Sequence, residues 1–92
     1  MKVTLDNRIF HMEGVLNKDN LYVEYFFIKL NYRNKKMSYI VWKYIQYKYK
    51  LDIYLIAFHT LLSYYTKMQF KILGKADDEG YYDLYLKYNI QK

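Results

Sequence analysis

From Val15 to Leu73 the sequence contains neither proline nor glycine. Such a stretch has no residue that must break a regular element and none that frees the backbone for a flexible joint. One folding unit over residues 1–92, without an internal linker, is the expectation. A chain of this length buries only about 60–65% of the surface it exposes when unfolded, so its core is thin. Yet 53% of its residues are apolar, and 14 of them are tyrosine. A tyrosine ring can end a core or line an interface, because its body is apolar and its tip polar. The chain also carries 13 lysines, whose stems cover apolar surface while their heads stay in water.

Several classes are excluded at once. There is no cysteine, hence no disulfide framework, no thiol nucleophile and no Cys-bearing zinc site, a pattern that fits an intracellular protein. Met1-Lys2 leads straight into Val3-Thr4-Leu5-Asp6, with no apolar leader core. The apolar stretch 53–65 is interrupted by His59, Thr60 and Ser63 and falls short of the about 20 residues a span requires. A soluble, cytoplasmic protein without a membrane partner is expected. The net charge is +6, and only Arg8 and Arg33 among its cations are arginine. Bidentate reading of phosphates and bases leans on arginine. Lysine-dominated charge argues for solubility or non-specific attraction. More than half of the residues are Phe, Tyr, Met, Ile, Asn or Lys, all encoded by AT-rich codons. That bias points to an AT-rich genome and raises the expectation of a phage, virus or other mobile element, with the host cytoplasm as the place of action.

Local patterns divide the chain into three parts. Residues 2–5 and 8–13 flank Asp6-Asn7, a dipeptide suited to a tight turn, and Asn17-Lys18-Asp19-Asn20 is a second polar turn. Residues 21–32 are dense in strand-forming side chains, so the first third predicts an antiparallel meander. In the middle, Ile40, Tyr44, Tyr47, Leu51, Tyr54, Phe58, Leu61, Tyr65 and Met68 follow a 4-3-4-3 spacing, one apolar stripe of a long helix with Ser38 as its cap. The alternation of Ile45, Tyr47, Tyr49, Leu51 and Ile53 with polar residues argues locally for a strand. Length favours helix over 38–50 and over 52–66, with a break near Lys50 where Asp52 caps a second helix. Residues 69–75 and 81–90 flank an acidic turn ending in Gly80 and predict a hairpin. The fold class expected is α+β: a small antiparallel sheet, made of the N-terminal meander and the C-terminal hairpin, packed against one long or broken amphipathic helix.

Motifs for chemistry are weak. His59, Ser63 and Asp52 lack a nucleophile elbow and an oxyanion hole, so they read as ordinary residues of a helix. His11 and Glu13 share one face of a strand, but two donors are not a metal site. Asp77-Asp78-Glu79-Gly80 lacks the alternating oxygens of a calcium loop. A winged helix matches the order of elements, but residues 53–58 are too apolar to read bases. No catalytic residue, cofactor site or metal site is expected.

The strongest candidate is a basic, aromatic face. Lys36, Lys43 and Lys50 recur every seven residues, with Gln46 inside the stripe, Arg33 and Lys35 at its head and Lys48 beside it. Tyr39, Trp42, Tyr47 and Tyr49 are interleaved. Such a set can neutralise phosphates while rings stack on bases, and Trp42, if exposed, would be the anchor of a binding surface. The sequence therefore predicts a small non-catalytic binding protein that occludes a host protein or nucleoprotein, as an inhibitor of host defence does. A low-specificity DNA- or RNA-binding protein and a self-associating structural subunit are the alternatives.

Overall fold

Asparagine side chains make the first two chain reversals in the computed structural model, which describes residues 1–88. β1 (Lys2–Asp6) turns into β2 (Phe10–Leu16) where the Asn7 side-chain oxygen accepts from the N–H groups of Ile9 and Phe10 at 2.8 and 3.0 Å. β2 turns into β3 (Asn20–Ile28) where the Asn17 N–H donates to the Asn20 carbonyl at 2.9 Å. The expected meander is present. A 3-10 turn, Leu30–Tyr32, then leads to helix α1 (Lys35–Tyr49). Asn34 caps α1 by accepting from the Met37 N–H at 2.8 Å, and Lys50 ends it in the left-handed region at φ 55°.

The chain next runs as β4 (Asp52–Phe58), a 3-10 turn (His59–Leu61), a short helix α2 (Leu62–Lys67), β5 (Lys71–Lys75) and β6 (Tyr81–Leu86). The six strands form one sheet in the order β1-β2-β3-β4-β6-β5, with β3 and β4 its parallel pair. The expected α+β class and C-terminal hairpin are found; residues 89–90 of the sequence-predicted last strand lie outside the described residues.

The helix expected over 52–66 is corrected. Its first half is the central strand β4, whose Ile53, Leu55 and Ala57 are buried in alternation. A short apolar run reads alike for a core helix and a doubly paired strand, and here the ladders to β3 and β6 decide it. The winged-helix alternative falls with it. The apolar stripe assigned to the core is also corrected. Ile40, Tyr44 and Tyr47 are exposed, whereas α1 buries Ser38, Val41, Trp42, Ile45 and Gln46. Tyrosine tolerates water at its tip, so the wholly apolar Val41 and Ile45 with Trp42 take the inner face.

That inner face packs on Met12, Leu21, Val23, Ile53, Leu55 and Leu84, together with Tyr65 of α2. Both helices are crossovers between strands of the same direction, progress the same way across the sheet and therefore cover the same face. The opposite face carries Tyr22, Tyr54, Ile56, Tyr81 and Tyr85 and has no helix over it among the described residues. No helix of the described residues is long and apolar enough to cross a membrane.

Candidate functional site

The two central strands part company. The β3–β4 ladder ends at Val23 opposite Leu55, after which β3 continues to Ile28 beside β2 and β4 continues to Phe58 beside β6. A bulge starts the divergence. Glu13 faces Tyr25 and Gly14 faces Val23, which leaves Glu24 as the extra residue in β3. Bulges increase local twist and bend a strand away from its neighbour. Gly14 permits the close approach, since a Cβ there would lie 2.6 Å from the Tyr22 carbonyl oxygen. Beyond the split, the backbone edge of β3 that faces β4 has no ladder partner among the described residues, and such groups require one when desolvated.

A cavity of about 590 Å³ lies along the part of β3 beyond the split, on the helix-covered side. Phe26, Phe27 and Ile28 of β3 form one wall, the start of α1 a second, and Leu61, Ser63, Tyr64 and Met68 a third. At the α1 end the N–H groups of Lys35 and Lys36 have no acceptor within the helix, and the helix dipole is positive there. No acidic residue stands in this first turn. Arg33 donates from Nε to the Ile28 carbonyl at 2.5 Å, which fixes the guanidinium at the cavity mouth, with Lys35 and Lys67 beside it. Ser38 is only 5% exposed and lines the cavity. Tyr64 lines the cavity, and its oxygen accepts from Trp42 Nε1 at 3.2 Å, which leaves its own hydrogen free to donate. Burial holds the neighbouring Tyr65 hydroxyl well above its ordinary pKa, and it stays protonated.

This arrangement suits an elongated ligand. An anionic end would meet the α1 terminus and its cations, and an amide-bearing body would lie along the open edge of β3. The expected basic face is broken up by the same geometry. Arg33 and Lys35 line this cavity, and Lys36 is exposed one residue further along α1. Tyr39, Trp42, Lys43 and Gln46 instead border a second cavity of about 380 Å³ against β5 and β6. Tyr47, Lys48 and Lys50 stand at the far end of α1, and Lys43 and Lys50 sit over the rings of Tyr39 and Tyr47 at 5.3 and 5.9 Å.

Trp42 is not a surface anchor. It is 2% exposed, with its ring centroid 4.2 Å from Phe26 and 5.1 Å from Phe70. Gln46 is buried and donates to the Lys87 carbonyl at 2.9 Å, an internal tie. The sequence reading missed Ser38 as a cavity residue because it placed the helix cap there, and Tyr64 because it ran one helix over 52–66. Asn34, three residues before Met37, was the available signal.

The other polar motifs are structural. Asp52 accepts from the Tyr85 hydroxyl at 3.1 Å and from the Tyr88 N–H at 2.8 Å, at the opposite end of β4 from His59. Asp77 shapes the acidic turn by accepting from the N–H groups of Glu79 and Tyr81. His11 ties β2 to β1: Nε2 contacts Glu13 at 2.6 Å and Nδ1 contacts Asp6 at 3.1 Å. No group of three or more potential ligands in the described residues is arranged to hold a metal ion. Glu13 first, then Asp6, raises the His11 pKa above 6.5, and His11 first, then Lys29, lowers that of Asp6 below 3.8. The His11 contribution to stability is therefore full below pH 6.5 and lost as pH rises through the raised value. The Asp6 contribution is present above pH 3.8 and lost on acidification through the lowered value. Thermal melts from pH 6 to 9 are expected to show a falling midpoint that flattens in His11→Gln; parallel curves would show that the cluster contributes nothing.

No family model matches this chain, and no curated protein matches it. Among solved structures, the Campylobacter jejuni N-acetyltransferase PseH in complex with acetyl coenzyme A superposes with a TM-score of 0.63 over 88% of this chain, at 20% identity. The chain spans 60% of that protein's length. The expectations of a non-catalytic binding protein, of a viral inhibitor of host defence and of a low-specificity nucleic-acid binder are corrected by this likeness, because the chain shares the fold of that solved N-acetyltransferase.

Proposed function

We propose that this protein is an acyltransferase that takes its acyl group from a coenzyme A thioester bound in the β3–α1–α2 cavity. The observation that carries the reading is the split between β3 and β4, with the cationic start of α1 at one end of the resulting wedge. The likeness to an N-acetyltransferase that binds acetyl coenzyme A supports it. The residues fit such a group. The α1 N–H groups with Arg33, Lys35 and Lys67 match a pyrophosphate, and the unpaired edge of β3 matches the two amides of a pantetheine arm.

The bound thioester supplies an activated acyl carbon: on transfer to an amine an N–C bond forms, the C–S bond breaks, and the amine's proton leaves with the thiol. The chain's own part is to orient and to exclude water. Phe26, Leu61 and Met68 wall the wedge. Tyr64, another lining residue, is held in place by the hydrogen bond from the Trp42 indole to its hydroxyl. A cytoplasmic setting fits the Cys-free sequence.

Calorimetric titration of the protein with acetyl coenzyme A tests the reading. Saturable micromolar binding, weakened by salt and competed by coenzyme A, is the expected result. Absence of binding at millimolar ligand removes the proposal.

A further inference from the structure

The face of the sheet without a helix has its own cavity of about 400 Å³, over the paired part of β3 and β4 and against β5 and β6. Three tyrosines pave this face in one row across neighbouring strands: Tyr22 of β3 stands opposite Tyr54 of β4, which stands opposite Tyr85 of β6. The Tyr54 and Tyr85 rings stack at 4.9 Å between centroids. One step along the strands, Asp83 pairs with Ile56, the first residue of β4 beyond the split. On its other side Asp83 faces Gly74 of β5, where even an added Cβ would meet nothing within 4 Å, so the carboxylate borders open space.

The two carboxylates near this floor differ. Glu24 is engaged by Lys2 at 2.5 Å. Asp83 makes no ion pair and no side-chain hydrogen bond among the described residues, and it lines the cavity with Tyr22 and Tyr54. Lys75 stands on the rim without reaching it. Burial first, and then the fields of Asp83 and Glu24, raise the Tyr22 pKa, so its hydroxyl stays neutral.

From this the geometry points to an acceptor site on the open sheet face, in which Asp83 binds the ammonium group of a primary amine whose flat or apolar body lies on Tyr22 and Tyr54. Tyrosine faces attract cations and stack on flat groups, and a partly desolvated carboxylate gives the charge-assisted hydrogen bond. The inference rests on the acyltransferase reading for its purpose. Its position is tied to the split because Asp83 stands cross-strand from Ile56, the first residue of β4 beyond the point where the strands part.

Binding in the absence of any thioester separates the two claims. Benzylamine, with benzyl alcohol as its neutral isostere, is titrated into the protein while amide shifts are followed by heteronuclear NMR. Saturable shifts at residues 22, 54 and 83, with benzyl alcohol at least about tenfold weaker, are expected; one charge-assisted hydrogen bond is worth that factor. Asp83→Asn should weaken benzylamine by about tenfold and leave acetyl coenzyme A affinity within about twofold, since Asp83 lies on the other face. Equal binding of amine and alcohol, no saturable shift at this face, or unchanged amine affinity in Asp83→Asn would each overturn the site. Loss of acetyl coenzyme A binding by the wild-type protein would instead strike the acyltransferase reading and leave the cation site standing.

Discussion

Trp42→Ala is expected to cost about 3–5 kcal/mol of unfolding free energy, the range for deleting a large buried aromatic. Small domains hold only about 5–15 kcal/mol in all, so this one change would remove a large fraction of the total. The indole is 2% exposed and joins three separate elements. It meets Phe26 of β3 at 4.2 Å, Phe70 before β5 at 5.1 Å and Tyr65 of α2 at 6.0 Å. Its N–H donates to the Tyr64 hydroxyl at 3.2 Å. Trp42→Phe keeps much of the packing and loses the hydrogen bond, so it separates the two contributions. Its cost should be markedly smaller, with Tyr64 released from its fixed orientation. Urea unfolding followed by far-ultraviolet circular dichroism measures both. A Trp42→Ala loss below about 1 kcal/mol would be a surface-site value and would contradict a core centred on this ring.

The same residue shows where the sequence was legible and where it was not. Its helix was readable, since residues 38–50 carry no breaker and the turn before them is polar. Its inward orientation was not, because the periodicity of Ile40, Tyr44 and Tyr47 is as regular as that of Val41, Ile45 and Trp42. Spacing cannot choose between two such faces; the sheet beneath chooses, through the fit of Val41, Trp42 and Ile45 to the β3 and β4 side chains. The hairpins were legible for a local reason, since Asn7, Asn17 and Asn20 form their hydrogen bonds within a few residues. β4 was hidden because its identity depends on non-local ladders to β3 and β6.

The candidate site was still less legible. Arg33 and Lys35 were picked out for their charge, but the cavity they serve comes from two strands separating. That separation depends on the bulge at Glu24, which in turn needs the missing side chain of Gly14 on another strand. No window of local sequence contains both. Asp83 and the tyrosine row meet only through pairings among β3, β4 and β6.

Reversing the charge at the start of α1 should have the largest effect on ligand binding. For Arg33→Glu/Lys35→Glu, acetyl coenzyme A affinity is expected to fall by about a hundredfold or more, since a hydrogen bond to a charged group contributes about 1.5–3 kcal/mol and two are replaced by repulsion. Unfolding cannot be the cause. Arg33→Glu removes one hydrogen bond to the Ile28 carbonyl, at about 1 kcal/mol. Acidic residues in a first turn gain about 0.3–1 kcal/mol from the helix dipole, and α1 has none there at present. The thermal midpoint should thus stay within about 5 °C of wild type while binding is lost. Lys43→Glu/Lys48→Glu/Lys50→Glu is the matching control. It changes more charge, but on residues further along α1 that do not line the cavity. At near-physiological salt the screening length is about 8 Å, so a distant charge contributes little. The triple variant should therefore bind acetyl coenzyme A within about threefold of wild type. Equal losses in the two variants would mean that the ligand responds to net charge alone and that the α1 terminus is not its anchor.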